Sequence, residues 1–561
     1  MEQVEAQTQR DAAITASPPR WRRNLAWPAG FAVAGVVLFT AYLLLTGRGT
    51  FVNSDGASNA LQAWAMLHGN VLLHGWNVSD VSFYTTELPE YMLVELVRGF
   101  SPDVVHISGA LTYTLLVLLA AAVAKGRDTG WPGLTRALIA AGIMLAPQYG
   151  SQLGLLMLSP DHVGTGVPLL LTWLLVDRGE QYTRNATGWR RWLVPAAVCL
   201  LLAWTAVGDE LAEFIGALAL VVACLTRSGW AWLRRRDRAG ADYYRAGARR
   251  YELSLAAAGA VAVPLAMLGF KVIALAGGWT ITPYRTGLAG ASALSGHAYL
   301  TGIGILDLFG ANVLAVQGGQ QLAFAIIHLA GLAVAALGVL VAVRRFFGDQ
   351  VLVPVLVTAI AVNIVAYLFS VQAKDVTSTR EFAAVLAFSA VLAGRLVPDL
   401  ITRPVPRRLL AGAGAVLLTG YAVVLGVNAA TPQTTGYPAQ LAAWLRAHHL
   451  SYGLAGYWQA SSVTLSSQGA VLVRPISVVN EKLVLASYWE ADAGWYDPAA
   501  HYANFIVNNR SAWYPDDPGP LARLMQARAG QPDHVYHVGA FTVAVWDHVN
   551  LLTRIPPPPP G

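Results

Sequence analysis

Apolar runs of roughly 17 to 25 residues recur along the first three quarters of the chain, each long enough to cross a hydrocarbon core about 30 Å thick. About eleven can be placed, near 25–46, 103–124, 134–150, 163–177, 193–207, 211–226, 253–276, 321–343, 351–371, 381–397 and 409–428. A chain that is 55% hydrophobic and 12% charged carries about half the charge of an ordinary soluble protein, so soluble classes are excluded. The expected fold class is an α-helical polytopic membrane protein. The first run is too long for a signal peptide and lacks a small-residue cleavage site, so it reads as an uncleaved span behind a polar tail, residues 1–24.

Basic residues cluster between alternate spans: Arg20, Arg22 and Arg23; Lys125 and Arg127; Arg178, Arg184, Arg190 and Arg191; Arg234 to Arg236, Arg249 and Arg250; Arg344 and Arg345; Arg403, Arg407 and Arg408. The other set of loops has few. The positive-inside rule therefore puts the N-terminus in the cytoplasm, reads these clusters as topology signals and argues against a nucleic-acid surface. Cys199 and Cys224 fall in apolar runs and suggest neither a disulfide framework nor a metal site.

An odd number of crossings places everything after the last span outside. Three parts are expected: the tail 1–24, a membrane domain 25–428 with long exterior loops 47–102 and 277–320, and an extracytoplasmic α/β domain 429–561. In the last part a helical pattern in "YPAQLAAWLRAHH" is followed by strand-like runs "AVLVRPIS", "KLVLAS", "ANFIVNN" and "FTVAVW". Aromatics are dense there, among them Tyr457, Trp458, Tyr488, Trp489, Trp495, Tyr496, Trp513 and Tyr514; such residues suit sugar stacking and equally suit ordinary packing. His534 and His537 in "DHVYH" sit on opposite faces of a strand, which argues against a shared metal.

The polar residues with chemical potential gather on the exterior side. The stretch "VNSDGASNALQAWAMLHG" places Asp55 just after the first span, ahead of an amphipathic helix expected to lie along the membrane surface. Further along are Asp80, Glu87 and Glu90, Asp161 and His162 in "SPDHVGTG", Asp209 and Glu210, Arg285 in "TPYRTG", and Lys374, Asp375, Arg380 and Glu381. Each has an ordinary alternative. Asp55 can cap the helix that follows; Glu87 with Glu90, and Asp209 with Glu210, can be solvated surface; Asp161 can open a helix; Arg380 and Glu381 can be a local ion pair.

The first-loop aspartate, the "SPDHVGTG" loop and the late "STREFAAVLAF" resemble the GT-C superfamily of membrane glycosyltransferases, with a polytopic body and a periplasmic C-terminal α/β domain. The resemblance implies inverting sugar transfer from a polyprenyl-phosphate-linked donor to a glycan, glycolipid or exported-protein acceptor of the cell envelope. It implies Asp55 as the base that takes the acceptor hydroxyl proton, and Arg380, with Arg285 second, as phosphate ligands. Asp161, His162, Glu87, Glu90 and Glu381 are auxiliary candidates. The paired Asp-x-Asp of metal-dependent members is missing at Asp55, where Ser54 precedes and Gly56 follows. A divalent cation is the one candidate cofactor. The competing classes are a transporter or flippase of envelope precursors and a non-catalytic scaffold. Arginine far outnumbers lysine and Ala, Gly and Val abound, as in proteins from GC-rich bacteria.

Overall fold

The computed structural model describes residues 20–148, 151–159, 161–234, 248–282, 287–316, 318–400, 407–432, 436–479, 482–485, 489–509 and 519–556. Helices stand at all eleven expected positions. Among the described residues, eight are long and apolar enough to cross a membrane: Trp27–Gly49, Asp103–Lys125, Gly188–Gly208, Glu213–Leu233, Arg249–Leu275, Gly319–Arg344, Leu352–Phe369 and Thr377–Leu400. The other three fall short for separate reasons. Gly130–Met144 has 15 residues, Gly166–Asn185 turns polar from Asp177 onward, and the apolar part of Arg407–Ala429 covers only Gly414–Ala429.

The most enclosed span is Thr377–Leu400, at the centre of the bundle, where every residue from Ala383 to Leu396 is buried. It packs against the helices Gly319–Arg344, Gly130–Met144 and Asp103–Lys125. Small residues allow this closeness. A Cβ on Gly338 would stand 2.5 Å from the Ala393 backbone, so only glycine fits that crossing. At one end of this helix lies Arg380, and at the other Asp399 takes hydrogen bonds from Arg136 (3.0 Å) and Arg345 (3.1 Å). Nineteen residues at about 1.5 Å each separate Arg380 from Asp399 by about 28 Å, close to a hydrocarbon thickness. Two arginines, one of them from the Arg344–Arg345 cluster, thus gather at the Asp399 end, while Asp55 and Asp161 meet Arg380 at the other.

Three remote segments are sewn together above the Arg380 end. Strand β1 (Trp76–Val78) pairs in parallel with β2 (Thr280–Ile281) and antiparallel with β6 (Ala491–Asp492), so both long loops and the C-terminal region share one small sheet. The C-terminal region itself forms a six-stranded sheet in the order β5-β4-β3-β7-β9-β8. Its members are β3 (Tyr452–Ala455), β4 (Leu472–Val479), β5 (Lys482–Leu485), β7 (Phe505–Asn509), β8 (His534–Val538) and β9 (Phe541–Val545). Alternation along β7 sends Phe505 and Val507 to one face and Ile506 to the other. The first face is covered by helices Tyr437–Ala447 and Tyr457–Ser466 through Leu441, Leu445 and Val463, the second by Gly519–Ala529 through Leu521 and Met525. Strands β5, β7 and β9 lie within the runs read from sequence and β4 extends its run by two residues to Val479, whereas β3 and β6 are too short to show a period.

Candidate functional site

The helix holding Asp55 runs from Ser54 to Leu67, and its cap is Asn53, whose side chain accepts from the Gly56 N–H at 3.1 Å. Asp55 is therefore free of capping duty. The expectation of a helix lying on the membrane surface is corrected in one respect. Its polar face, Ser58, Asn59 and Gln62, is buried as well as Ala57 and Ala60, while Leu61, Trp64 and Ala65 are only half-buried. The reason is the C-terminal region. Helix Tyr457–Ser466 lies along it, Ser54 Oγ donates to the Tyr457 carbonyl (2.7 Å), and the Ser58 and Ser461 hydroxyls meet at 2.9 Å. On the other side Gly56 permits close packing: a Cβ there would stand 2.7 Å from Val105 of the Asp103–Lys125 span.

Asp55 divides its two oxygens between two partners. Oδ2 accepts from Arg380 Nη1 at 3.1 Å, and Oδ1 accepts from the Tyr457 hydroxyl at 2.7 Å. The same guanidinium nitrogen stands 3.8 Å from Asp161 Oδ2. Asp161 is buried and fully engaged, accepting from Ser159 Oγ (2.6 Å) and from Asn59 Nδ2 (2.7 Å). Burial and the neighbouring Asp55 charge push the Asp161 carboxyl up, against the pull of Arg380 and Ser159. The Tyr457 hydroxyl also makes a short contact with the Glu490 carboxylate. A phenol has one proton to give, and it cannot donate to both acids at once. Burial, and then the Asp55 charge, hold Glu490 well above the usual carboxylate range, which makes Glu490 the neutral member.

Beside this cluster lies a second. His162 Nδ1 is 3.1 Å from Asp209 Oδ2, which also accepts from Thr165 Oγ1 at 2.6 Å, while Asp209 Oδ1 accepts from the Leu211 N–H at 2.9 Å. His162 sits at φ +62°, a strained position for a non-glycine residue, with its ring edge against Phe83. Burial lowers its affinity for a proton, but the Asp209 charge and hydrogen bond outweigh that and raise it to about 9. The Asp209 carboxyl is correspondingly lowered despite its own burial, so the two form an ion pair.

The sequence-predicted residues thus meet unevenly. Asp55, Arg380 and Asp161 share one contact cluster, and His162 borders it. Glu381 is largely enclosed, in the electrostatic reach of His162, Asp209 and Arg380. Glu87 is buried beneath Gly164, where a Cβ would overlap its carboxylate, and burial holds its proton well above the usual range. Glu90 accepts from Thr112 Oγ1 at 2.9 Å and is pushed up to about 8 by burial. The reading of Glu87, Glu90 and Asp209 as solvated surface is overturned, because the 47–102 loop folds down onto the spans instead of standing in water. Arg285 lies outside the described residues, as do Tyr488, Trp513 and Tyr514. Asp375 serves its own turn, accepting from Thr377 Oγ1 at 2.6 Å. Tyr457 and Glu490 were missed as site residues. A tyrosine and a glutamate about four hundred positions from Asp55 have no local pattern to mark them. Among the described residues no three His, Cys, Asp or Glu side chains converge as metal ligands would; the positive charge between Asp55 and Asp161 is the Arg380 guanidinium.

No family model matches the chain, and no curated protein matches it. Solved structures with a similar course of the chain include the apo oligosaccharyltransferase of Archaeoglobus fulgidus, 12% identical with a TM-score of 0.46, over 85% of this chain and 69% of that one. Another is apo ArnT of Cupriavidus metallidurans, 13% identical with a TM-score of 0.37, over 95% of this chain and 99% of that one.

The ion pair predicts a pH dependence of stability. A histidine whose folded affinity for protons is raised contributes fully below its unfolded value near 6.5, and the contribution is lost as pH rises through about 9. The loss should be on the order of 3 kcal/mol, read as a melting temperature several degrees lower at pH 9.5 than at pH 6. Asp209→Asn should flatten that dependence; an unchanged slope in the variant would place the titration elsewhere.

Proposed function

We propose that the protein is an inverting membrane glycosyltransferase that moves a sugar from a polyprenyl-phosphate-linked donor to a cell-envelope acceptor at the outer face of the membrane. The observation that carries this reading is the division of Asp55 between Arg380 and Tyr457 at the end of the spans. One carboxylate stands next to one cation, as required when a base must act beside an anionic leaving group. Each Asp55 oxygen keeps a lone pair beyond its present partner, so an acceptor hydroxyl has an acceptor for its proton. Arg380 has five N–H donors in a planar fork, and those turned away from Asp55 suit a phosphate. The base would then stand one guanidinium width from the leaving group. As the acceptor oxygen bonds to the anomeric carbon, the carbon–oxygen bond to the phosphate breaks; the proton goes to Asp55 and the electron pair to the phosphate. A phosphate leaves as a weak base, so a second carboxyl acting as acid is not required, unlike glycoside hydrolysis.

The location also fits this class better than a transporter. The acids and Arg380 sit at one end of the central span, whereas transported ions and substrates are held near the midplane. The arginines around Asp399 at the far end support a cytoplasmic assignment for that end and an outer-face assignment for Asp55. Asp55 and Asp161 are also where a divalent cation would enter, and it would have to displace the guanidinium to do so. The transfer drawn here runs through Arg380 alone.

A strain lacking the gene should lose one sugar from a single class of envelope glycan or glycolipid, and a reporter fused near residue 435 should be active only outside the cytoplasm. An unaltered envelope glycan and glycolipid profile, or a cytoplasmic reporter, would overturn the assignment.

A further inference from the structure

A groove of about 960 Å³ opens beside the site, at the upper end of the size range of small-molecule pockets, about 300–1,000 Å³. Its walls are the first span (Phe39, Leu43), the helix Leu88–Arg98 (Leu93, Val97), the second long span (Ile107, Leu111) and the edge of the C-terminal region at Pro438 and Ser466. The lining is mostly apolar. The lip continues onto a surface where Leu93, Leu96 and Val97 are exposed, Val97 by 84%, on a helix packed against the Asp103–Lys125 span. In water that surface would be costly; against acyl chains it is at rest. Charged groups gather at one lip, where Arg98 and Asp103 pair and His106 lies 3.4 Å from the Thr50 hydroxyl.

Two short paths lead from the groove to Asp55. Val52 lines the groove and is three residues away, at most about 11 Å along the chain. Helix Tyr457–Ser466 begins at the hydroxyl that touches Asp55 Oδ1 and ends at the groove, about 14 Å later at 1.5 Å per residue. The second reaches the Tyr457 side of the carboxylate. Oδ2 faces Arg380 and so the phosphate; Oδ1 faces the helix that runs into the groove. No residue of the Thr377–Leu400 span lines the groove.

We propose that this groove holds the hydrocarbon chain of a lipid-linked acceptor, so that the enzyme glycosylates a membrane glycolipid whose headgroup reaches from the Arg98–Asp103 lip to Asp55. The proposal rests on the glycosyltransferase reading and narrows its acceptor class. The headgroup must span about 10 to 14 Å between groove and base, the reach of one to a few sugar units beyond a lipid phosphate or glycerol.

The test uses the full-length protein in nanodiscs with two photoreactive probes, a diglycosyl diacylglycerol and a decaprenyl phosphate, each bearing a diazirine near the end of one chain. The glycolipid should label peptides containing Leu93, Val97, Ile107 or Leu111, in competition with unlabelled glycolipid and not with decaprenyl phosphate. A groove-filling variant, Leu111→Trp, should reduce that labelling at least about tenfold. Labelling of the groove by decaprenyl phosphate in preference would assign it to the donor and overturn the proposal, as would labelling no greater than that of bulk phospholipid. Failure of the glycosyltransferase reading shows separately, as a wild-type protein that alters no envelope glycan or glycolipid when deleted and transfers no sugar from a polyprenyl-phosphate-linked donor to any envelope fraction.

Discussion

Asp55→Asn is expected to accumulate at the wild-type level, to melt within a few degrees of the wild type, and to transfer sugar at least about a hundredfold more slowly, the low end of what a positioned base contributes. The substitution isolates basicity. Asn53 already caps the helix, so the variant leaves the helix start intact, and an amide oxygen can still accept from the Tyr457 hydroxyl. What disappears is the charge facing Arg380 and the capacity to take a proton. Arg380 keeps Asp161 at 3.8 Å and is about a third exposed, so the lost ion pair costs little stability. A purely structural Asp55 therefore predicts an active variant, and a catalytic one predicts an intact but slow protein. Transfer of labelled sugar from polyprenyl phosphate by the purified variant at close to the wild-type rate would end the catalytic assignment.

Arg380→Ala should lower kcat/KM by about tenfold to a hundredfold, because charge-assisted hydrogen bonds to an anion contribute roughly 1.5–3 kcal/mol. Most of the effect should appear in KM for the lipid donor, with acceptor KM little changed. Lysine should restore only part, since a single ammonium cannot hold Asp55 and a phosphate in the fixed fork of a guanidinium. Donor kinetics indistinguishable from wild type in Arg380→Ala would pass the phosphate role to another cation.

Much of the membrane body was legible because long apolar runs and arginine-rich connections are local properties. Each can be read without knowing what it packs against. The three short or polar-ended helices mark the limit of that rule: an apolar run in the sequence does not fix where the helix through it begins, ends or turns polar. The site was legible in part for the same reason. Asp55, Asp161 and Arg380 stand out as charges in a chain that has few, and the fold brings both carboxylates within 4 Å of the guanidinium. Nothing local predicts that Ser58 and Asn59 face inward, because the partners that satisfy them are Ser461 and Asp161. Tyr457 was noted only as one aromatic among many. Its role depends on a parallel pairing of β3 with β4 and β7, which carries the start of the next helix to Asp55, and long-range parallel pairings leave little trace in sequence.

The three-stranded sheet that sews the two long loops to the C-terminal region also sets a clock. Asp55 and Tyr457 are separated by 402 positions, and at roughly 5–20 residues per second a ribosome needs on the order of 20 to 80 seconds to travel from one to the other. For that interval the base is already made while its phenol partner, its third strand and the wall of the groove are not. A nascent or prematurely ended chain can thus insert its spans and still lack the completed pocket. Under the proposed function and orientation, completion of the surface around Asp55 is coupled to export of the final segment, so a molecule whose C-terminus has not crossed the bilayer would also lack the complete pocket.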